Sequence, residues 1–162
     1  MTHLFHYPAE ITVMSKNITL TVTNYNDQSF SSKVKNDILT VQEKEYIKNA
    51  VSSRCREFEA GRYSLKTAYF KHKKEERSNF REISVLKTEY GQPFIVGKSC
   101  GVSITHDAGL AAAAVSNNSS IGIDIHCGVQ FSDEYRMFIH GEEQKMLQST
   151  ENQLFFLMLY GV

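Results

Sequence analysis

The chain has few cysteines, no net charge and no long apolar run, and each shortage removes a class of function. Its three cysteines, Cys55, Cys100 and Cys127, are odd in number, widely spaced and outside any CxxC pattern. That argues against a disulfide framework and supplies no zinc-ligand spacing. Eighteen Lys and Arg balance eighteen Asp and Glu, so no global field draws the protein to nucleic acid or to a membrane. Any anion site must come from local clustering of cations. No apolar run is long enough to span a bilayer. The first residues, Met1 to His6, have neither the basic nor the apolar region of a secretory signal. A reducing cytoplasm is the expected compartment. What is present, 41% hydrophobic and 22% charged residues over 162 positions, is enough for a soluble domain with a real core or for two small lobes.

Patterning along the chain predicts mixed helices and strands. Ile11 to Thr23 alternates apolar and polar residues and reads as a strand or hairpin. Asn24 to Lys35 has loop composition. Thr40-Val41-Gln42-Glu43 has capping-box spacing and should open a helix. A second helix is predicted from about Ser52 to Lys71, with Phe58, Leu65 and Tyr69 as its apolar stripe. Arg54, Arg62 and Lys66 then lie near one face of it. Lys71 to Arg77 reads as an exposed helix end or loop. Glu82 to Leu86 is a short strand candidate, followed by the turn Glu89-Tyr90-Gly91-Gln92-Pro93 and by Phe94 to Val96. Val102–Thr105, Leu110–Ser116 and Ile121–Ile125 are predicted as a three-strand meander with turns between them. Helical patterns follow over Asp133–Ile139, Gly141–Leu147 and Glu151–Tyr160. The last of these is strongly apolar and stops at Gly161-Val162 without a polar tail, so the chain is expected to be cut before its fold is complete.

Ile121-Gly122-Ile123-Asp124-Ile125 carries one carboxylate inside a β-branched strand. Alternation buries the three isoleucines and turns Gly122, Asp124 and His126 outward. A carboxylate held on a rigid element, with no bulk beside it, suits a metal ion or a phosphate. On the pentapeptide alone an ordinary solvated Asp is the preferred reading, because short motifs match often by chance.

Four stretches, in order, resemble the 4′-phosphopantetheinyl transferases of the Sfp type, most closely the branch of the enterobactin synthetase component D. Arg56 to Arg62, with its Ala60-Gly61-Arg62 core, is similar to that family's basic helix. Glu89 to Pro93 is similar to its EYGKP turn, with Gln92 where Lys is usual. Val102 to His106 is similar to its SISH segment, and Ile121 to Ile125 to its GIDIE segment. The resemblance runs from about Arg54 to Val162. It implies an α+β fold with pseudo-two-fold symmetry. Residues 1–120 would form a complete N-terminal, coenzyme-binding lobe, and residues 121–162 the start of an incomplete C-terminal lobe. It implies transfer of the phosphopantetheine arm of coenzyme A to a serine of an apo acyl, peptidyl or aryl carrier protein. The process would be siderophore or non-ribosomal peptide synthesis, with Mg²⁺ as cofactor and a synthetase assembly as the setting.

By the same resemblance Asp124 is the metal ligand, with His126 standing where a Glu is usual. Imidazole is a poorer Mg²⁺ ligand than carboxylate, so His126 either meets the metal or a phosphate or has no role. His106, with Thr105 beside it, would donate to a coenzyme A phosphate. Arg54, Arg62 and then Lys66 would take the 3′-phosphate, and Gly91, Gln92 and Pro93 would shape the nucleotide turn. The family's WxxKE motif would begin at Tyr160, and its Lys and Glu are absent from this chain. Without them the chain is expected to be inactive or nearly so, and a non-catalytic remnant that binds coenzyme A or a carrier protein is the alternative reading.

Overall fold

A computed structural model describes residues 10–30, 38–75, 79–117, 121–125 and 157–160. Strand β1 (Glu10–Met14) and strand β2 (Ile18–Asn24) form a hairpin, with Ile11 opposite Val22 and Val13 opposite Leu20. Helix α1 (Val41–Ile47) and helix α2 (Ser52–Lys73) follow. After a 3₁₀ turn at Phe80–Glu82 come strands β3 (Val85–Lys87) and β4 (Pro93–Ile95), an antiparallel pair. Strands β5 (Gly101–Asp107), β6 (Leu110–Ser116), β7 (Gly122–Ile125) and β8 (Leu157–Tyr160) complete the described elements. The predicted α+β class is observed. Among the described residues no helix is long and apolar enough to cross a membrane.

One antiparallel sheet in the order β1-β2-β6-β5 forms the floor. Its central strand, β6, is a run of small residues buried on both sides. Ala111, Ala113 and Val115 meet the clusters under α2, whereas Leu110, Ala112 and Ala114 meet Ile123 and Ile125 of β7. Alanine lets an element approach closely on each face, which is why a sequence of high helix propensity serves here as a strand. The α2 face of β2 is polar. Thr19, Thr21 and Thr23 are fully buried there, and Thr23 accepts a 2.8 Å hydrogen bond from Ser64 of the helix.

Helix α2 crosses this sheet and is buried all round from Ala60 to Phe70. The sheet covers one side. Phe30, Ile38 and Leu39 cover a second, and Ile83, Val85 and Ile95 a third. Gly61 makes the close approach possible, since a Cβ there would sit 3.0 Å from Ile104 Cγ2 of β5. At the β5–β6 turn Gly109 has φ +91°, and a Cβ would lie 1.9 Å from Asn26 Nδ2.

Three predicted features are corrected. The segment predicted as the third meander strand, β7, does not join the sheet. Both edges of β6 are taken by β2 and β5, so β7 lies over the sheet face and pairs with β8 instead. The end of the helix predicted over Glu151–Tyr160 is a strand at Leu157–Tyr160, because β7 offers it an unpaired edge; residues 151–156 lie outside the described residues. The strand predicted at Glu82–Leu86 begins at Val85, after the 3₁₀ turn. The helices predicted at Asp133–Ile139 and Gly141–Leu147 lie outside the described residues. The alternation predicted for Ile121 to Ile125 is observed: Ile123 and Ile125 are buried and Asp124 is exposed.

The Gly61 contact yields a test. Gly61→Val should force α2 from β5 and lower stability by about 1–3 kcal/mol, read as a reduced urea midpoint at unchanged slope. An unchanged midpoint would remove the close approach as a constraint on the fold.

Candidate functional site

The site rests on a buried carboxylate. Thr40 caps α1 and Glu43 returns the capping bond, as the spacing predicted, but Glu43 is completely enclosed. Its Oε2 accepts from the Thr40 amide at 2.8 Å and from Lys66 Nζ at 2.7 Å. Its Oε1 accepts from the Val85 amide at 2.9 Å and lies 3.6 Å from Arg62 Nε. Lys66 also donates to the Ile38 carbonyl at 2.8 Å. Burial pulls the Lys66 ammonium pKa downward while Glu43 opposes that pull. Lys66, expected at a coenzyme phosphate, is instead fully buried with its ammonium directed to Glu43 and Ile38.

Alongside this cluster an open cleft of about 110 Å³ separates the first turns of α2 from the β3–β4 turn and the end of β5. Arg54, Arg62, Gly91, Pro93 and His106, all singled out from the sequence, line it together. Arg54 Nη1 donates to Glu57 at 3.0 Å and lies 3.3 Å from His106 Nε2. A guanidinium can only donate, so where this contact forms Nε2 is the acceptor and the ring proton sits on Nδ1. Arg62 is 3% exposed, its guanidinium carbon 4.2 Å from the Phe58 ring centroid. Its Nε and Nη2 have no hydrogen-bond partner among the described residues. Burial pushes its pKa down to about 10, with Glu43 acting in the opposite sense, so it remains charged at neutral pH. Gly91 has φ +83°, which lets the turn close with a 3.0 Å bond from its amide to the Thr88 carbonyl.

Lys87 also lines the cleft and was not foreseen. It pairs with Pro93 two residues beyond the buried Val85–Ile95 pair, so it shares their inward face. Alternation from Val85 could have found it. Gln92 is exposed and does not line the cleft.

Thr105 and Asp124 lie on the other face. Thr105 Oγ1 donates to Asp124 Oδ1 at 2.8 Å, and the Ile125 amide donates to the same oxygen at 2.9 Å. Ser103 Oγ accepts from the Ile123 amide at 3.1 Å, so β5 positions β7 by side-chain bonds. The strand pleat thus sends His106 to the α2 side and Thr105 to the β7 side. Among the described residues no group of three or more His, Cys, Asp or Glu could hold a metal ion. An exposed carboxylate oxygen held in place by two donors still fits Mg²⁺, which takes one or two carboxylates and keeps water and phosphate oxygens as its other ligands. His126 lies outside the described residues.

The Glu43 cluster gives a direct prediction. Glu43→Ala strands a buried ammonium and opens the α1 cap, and should cost about 3–5 kcal/mol in chemical denaturation. A loss below about 1 kcal/mol, the scale of a surface pair, would contradict the assignment.

Comparison with known proteins agrees with this arrangement. Residues 42–116, from α1 to the end of β6, match the family model described as the 4′-phosphopantetheinyl transferase N-terminal domain. No curated protein matches. A solved structure of a holo-(acyl-carrier-protein) synthase from Bacillus anthracis str. Ames, in complex with CoA (3′,5′-ADP), is 27% identical with a TM-score of 0.53. The match covers 64% of this chain and 96% of that one. A Helicobacter pylori holo-[acyl-carrier-protein] synthase in complex with coenzyme A is 23% identical with a TM-score of 0.48, over 61% of this chain and 97% of that one. Residues 42–116 are thus similar to the N-terminal domain of the 4′-phosphopantetheinyl transferases, and the fold is similar to that of a holo-(acyl-carrier-protein) synthase.

Proposed function

We propose that the protein belongs to the machinery that transfers the 4′-phosphopantetheine arm of coenzyme A to a serine of an apo carrier protein. In that reaction the serine hydroxyl attacks the pantetheine-side phosphorus. The bond to the bridging oxygen of the diphosphate breaks, 3′,5′-ADP leaves and the hydroxyl proton passes to a base. Such phosphoryl transfer is mostly positioning and charge neutralisation. The observation that carries this reading is the convergence of Arg54, Arg62, Lys87 and His106 on one cleft, in a stretch that matches the transferase family.

In this reading Arg54 and His106 grip an exposed phosphate at the mouth of the cleft, His106 through its Nδ1–H. Arg62 sets its positive charge at the floor, beneath a phosphate group in the cleft. Gly91 and Pro93 hold the turn that borders the nucleotide. Residues 1–120 act as the coenzyme-binding lobe and residues 121–125 bring Asp124, on the opposite sheet face, as the Mg²⁺ ligand. Mg²⁺ would neutralise the diphosphate charge there. The carrier is a peptidyl or aryl carrier protein of siderophore assembly, the setting that the motif set resembles most.

Calorimetric titration tests both halves. Coenzyme A should bind saturably, and Arg54→Ala and His106→Ala should each weaken it by about tenfold, one charge-assisted hydrogen bond. Mg²⁺ should tighten binding in the parent and not in Asp124→Asn. Unaltered affinity in both cleft variants would contradict the cleft assignment. Undiminished Mg²⁺ dependence in Asp124→Asn would contradict the metal assignment.

A further inference from the structure

The charge of the cleft is set partly from behind its wall. Glu43, Lys66 and Arg62 form one enclosed group of two cations and one anion, with exposures of 0%, 0% and 3%. At most one cation can be fully compensated, so the group carries one surplus positive charge. The distances say where it resides. Lys66 is in hydrogen-bond contact with Glu43 at 2.7 Å, whereas Arg62 Nε is 3.6 Å away and makes no hydrogen bond to it. The carboxylate also receives the Thr40 and Val85 amides. Of the three side chains only Arg62 lines the cleft.

We propose that Lys66 sets the affinity of the cleft for a phosphate group without touching it: by compensating Glu43 it leaves the positive charge of Arg62 uncancelled at the cleft floor. The inference rests on reading the cleft as a phosphate site. It makes Lys66 a positioning residue that acts through Glu43. A Lys66 that merely filled space would have no such effect. Remove the ammonium and Glu43 has one cation left to pair with, the Arg62 guanidinium, whose charge is then cancelled at the cleft floor. Remove both charges and Arg62 is again uncompensated.

The experiment is a titration of the full chain with 3′,5′-ADP, with urea denaturation of each variant alongside. Lys66→Met, close in length and apolar, should weaken binding by about tenfold or more, the effect of cancelling a nearby charge of low solvent exposure. The double variant Glu43→Gln/Lys66→Met should return to within about threefold of the parent, since an apolar or neutral replacement of a buried ion pair is well tolerated. Because the double variant also relieves a stranded buried charge, the urea curves carry the distinction: binding is compared only where each variant is shown to be fully folded under the titration conditions. Where Lys66→Met does not fold, Glu43→Gln alone decides: it should bind 3′,5′-ADP at least as tightly as the parent. Parent-like binding by Lys66→Met, a double variant as weak as Lys66→Met, or a tenfold loss in Glu43→Gln each overturns the inference. Parent-like binding by Arg62→Met overturns the phosphate reading of the cleft, and the role of Lys66 with it.

Discussion

A single buried carboxylate governs the geometry of this protein. Glu43 collects the α1 cap, the ammonium of α2, the first amide of β3 and the approach of Arg62. Taking that many polar groups out of water is costly, and such a cluster tends to stabilise only when nearly every donor and acceptor is matched. Here Glu43 and Lys66 are matched and Arg62 is not. The mismatch falls on the one member that lines the cleft. The same contacts that dock α1 and β3 against α2 therefore determine which cation is left uncompensated at the cleft.

The sheet divides the chemistry between its two faces. Cations from α2 and β3 gather with His106 of β5 on one side, and the Asp124 carboxylate with its Thr105 partner lies on the other. The two sets meet at the end of β5, where adjacent residues, Thr105 and His106, point in opposite directions. The alanine-rich inner strand β6 makes this possible, because α2 and β7 can both pack closely against it. On the proposed reading, a phosphate site and a metal-binding carboxylate reached from adjacent residues would suit a substrate that carries more than one phosphate.

Much of this could be read from local pattern. The Thr40–Glu43 spacing identified the cap, and the β-branched alternation of Ile121 to Ile125 correctly turned Asp124 outward. The helical spacing correctly put Arg54, Arg62 and Lys66 near one face. Spacing could not show how far along that face the rest of the chain closes over. From Ala60 onward α2 is surrounded, so Arg54 is exposed, Arg62 sits at the cleft floor and Lys66 is enclosed. Burial of a lysine depends on a partner 23 residues away, a contact that periodicity does not encode. The placement of β7 was hidden for a related reason, since strand pairing depends on which edges are already occupied. Lys87 was hidden because β3 is only three residues long, too short for its alternation to stand out beside the turn that follows.

The central claim is that Arg62 and His106, held by this scaffold, meet the phosphates of a nucleotide. Side-chain nitrogen NMR of the arginines and histidines during addition of 3′,5′-ADP reads that contact directly. The account predicts saturable shifts at Arg62 Nε and at both His106 ring nitrogens, with the Lys66 ammonium resonance changed far less. Shifts confined to residues on the Asp124 face, or no saturable shift at Arg62 and His106, would contradict it.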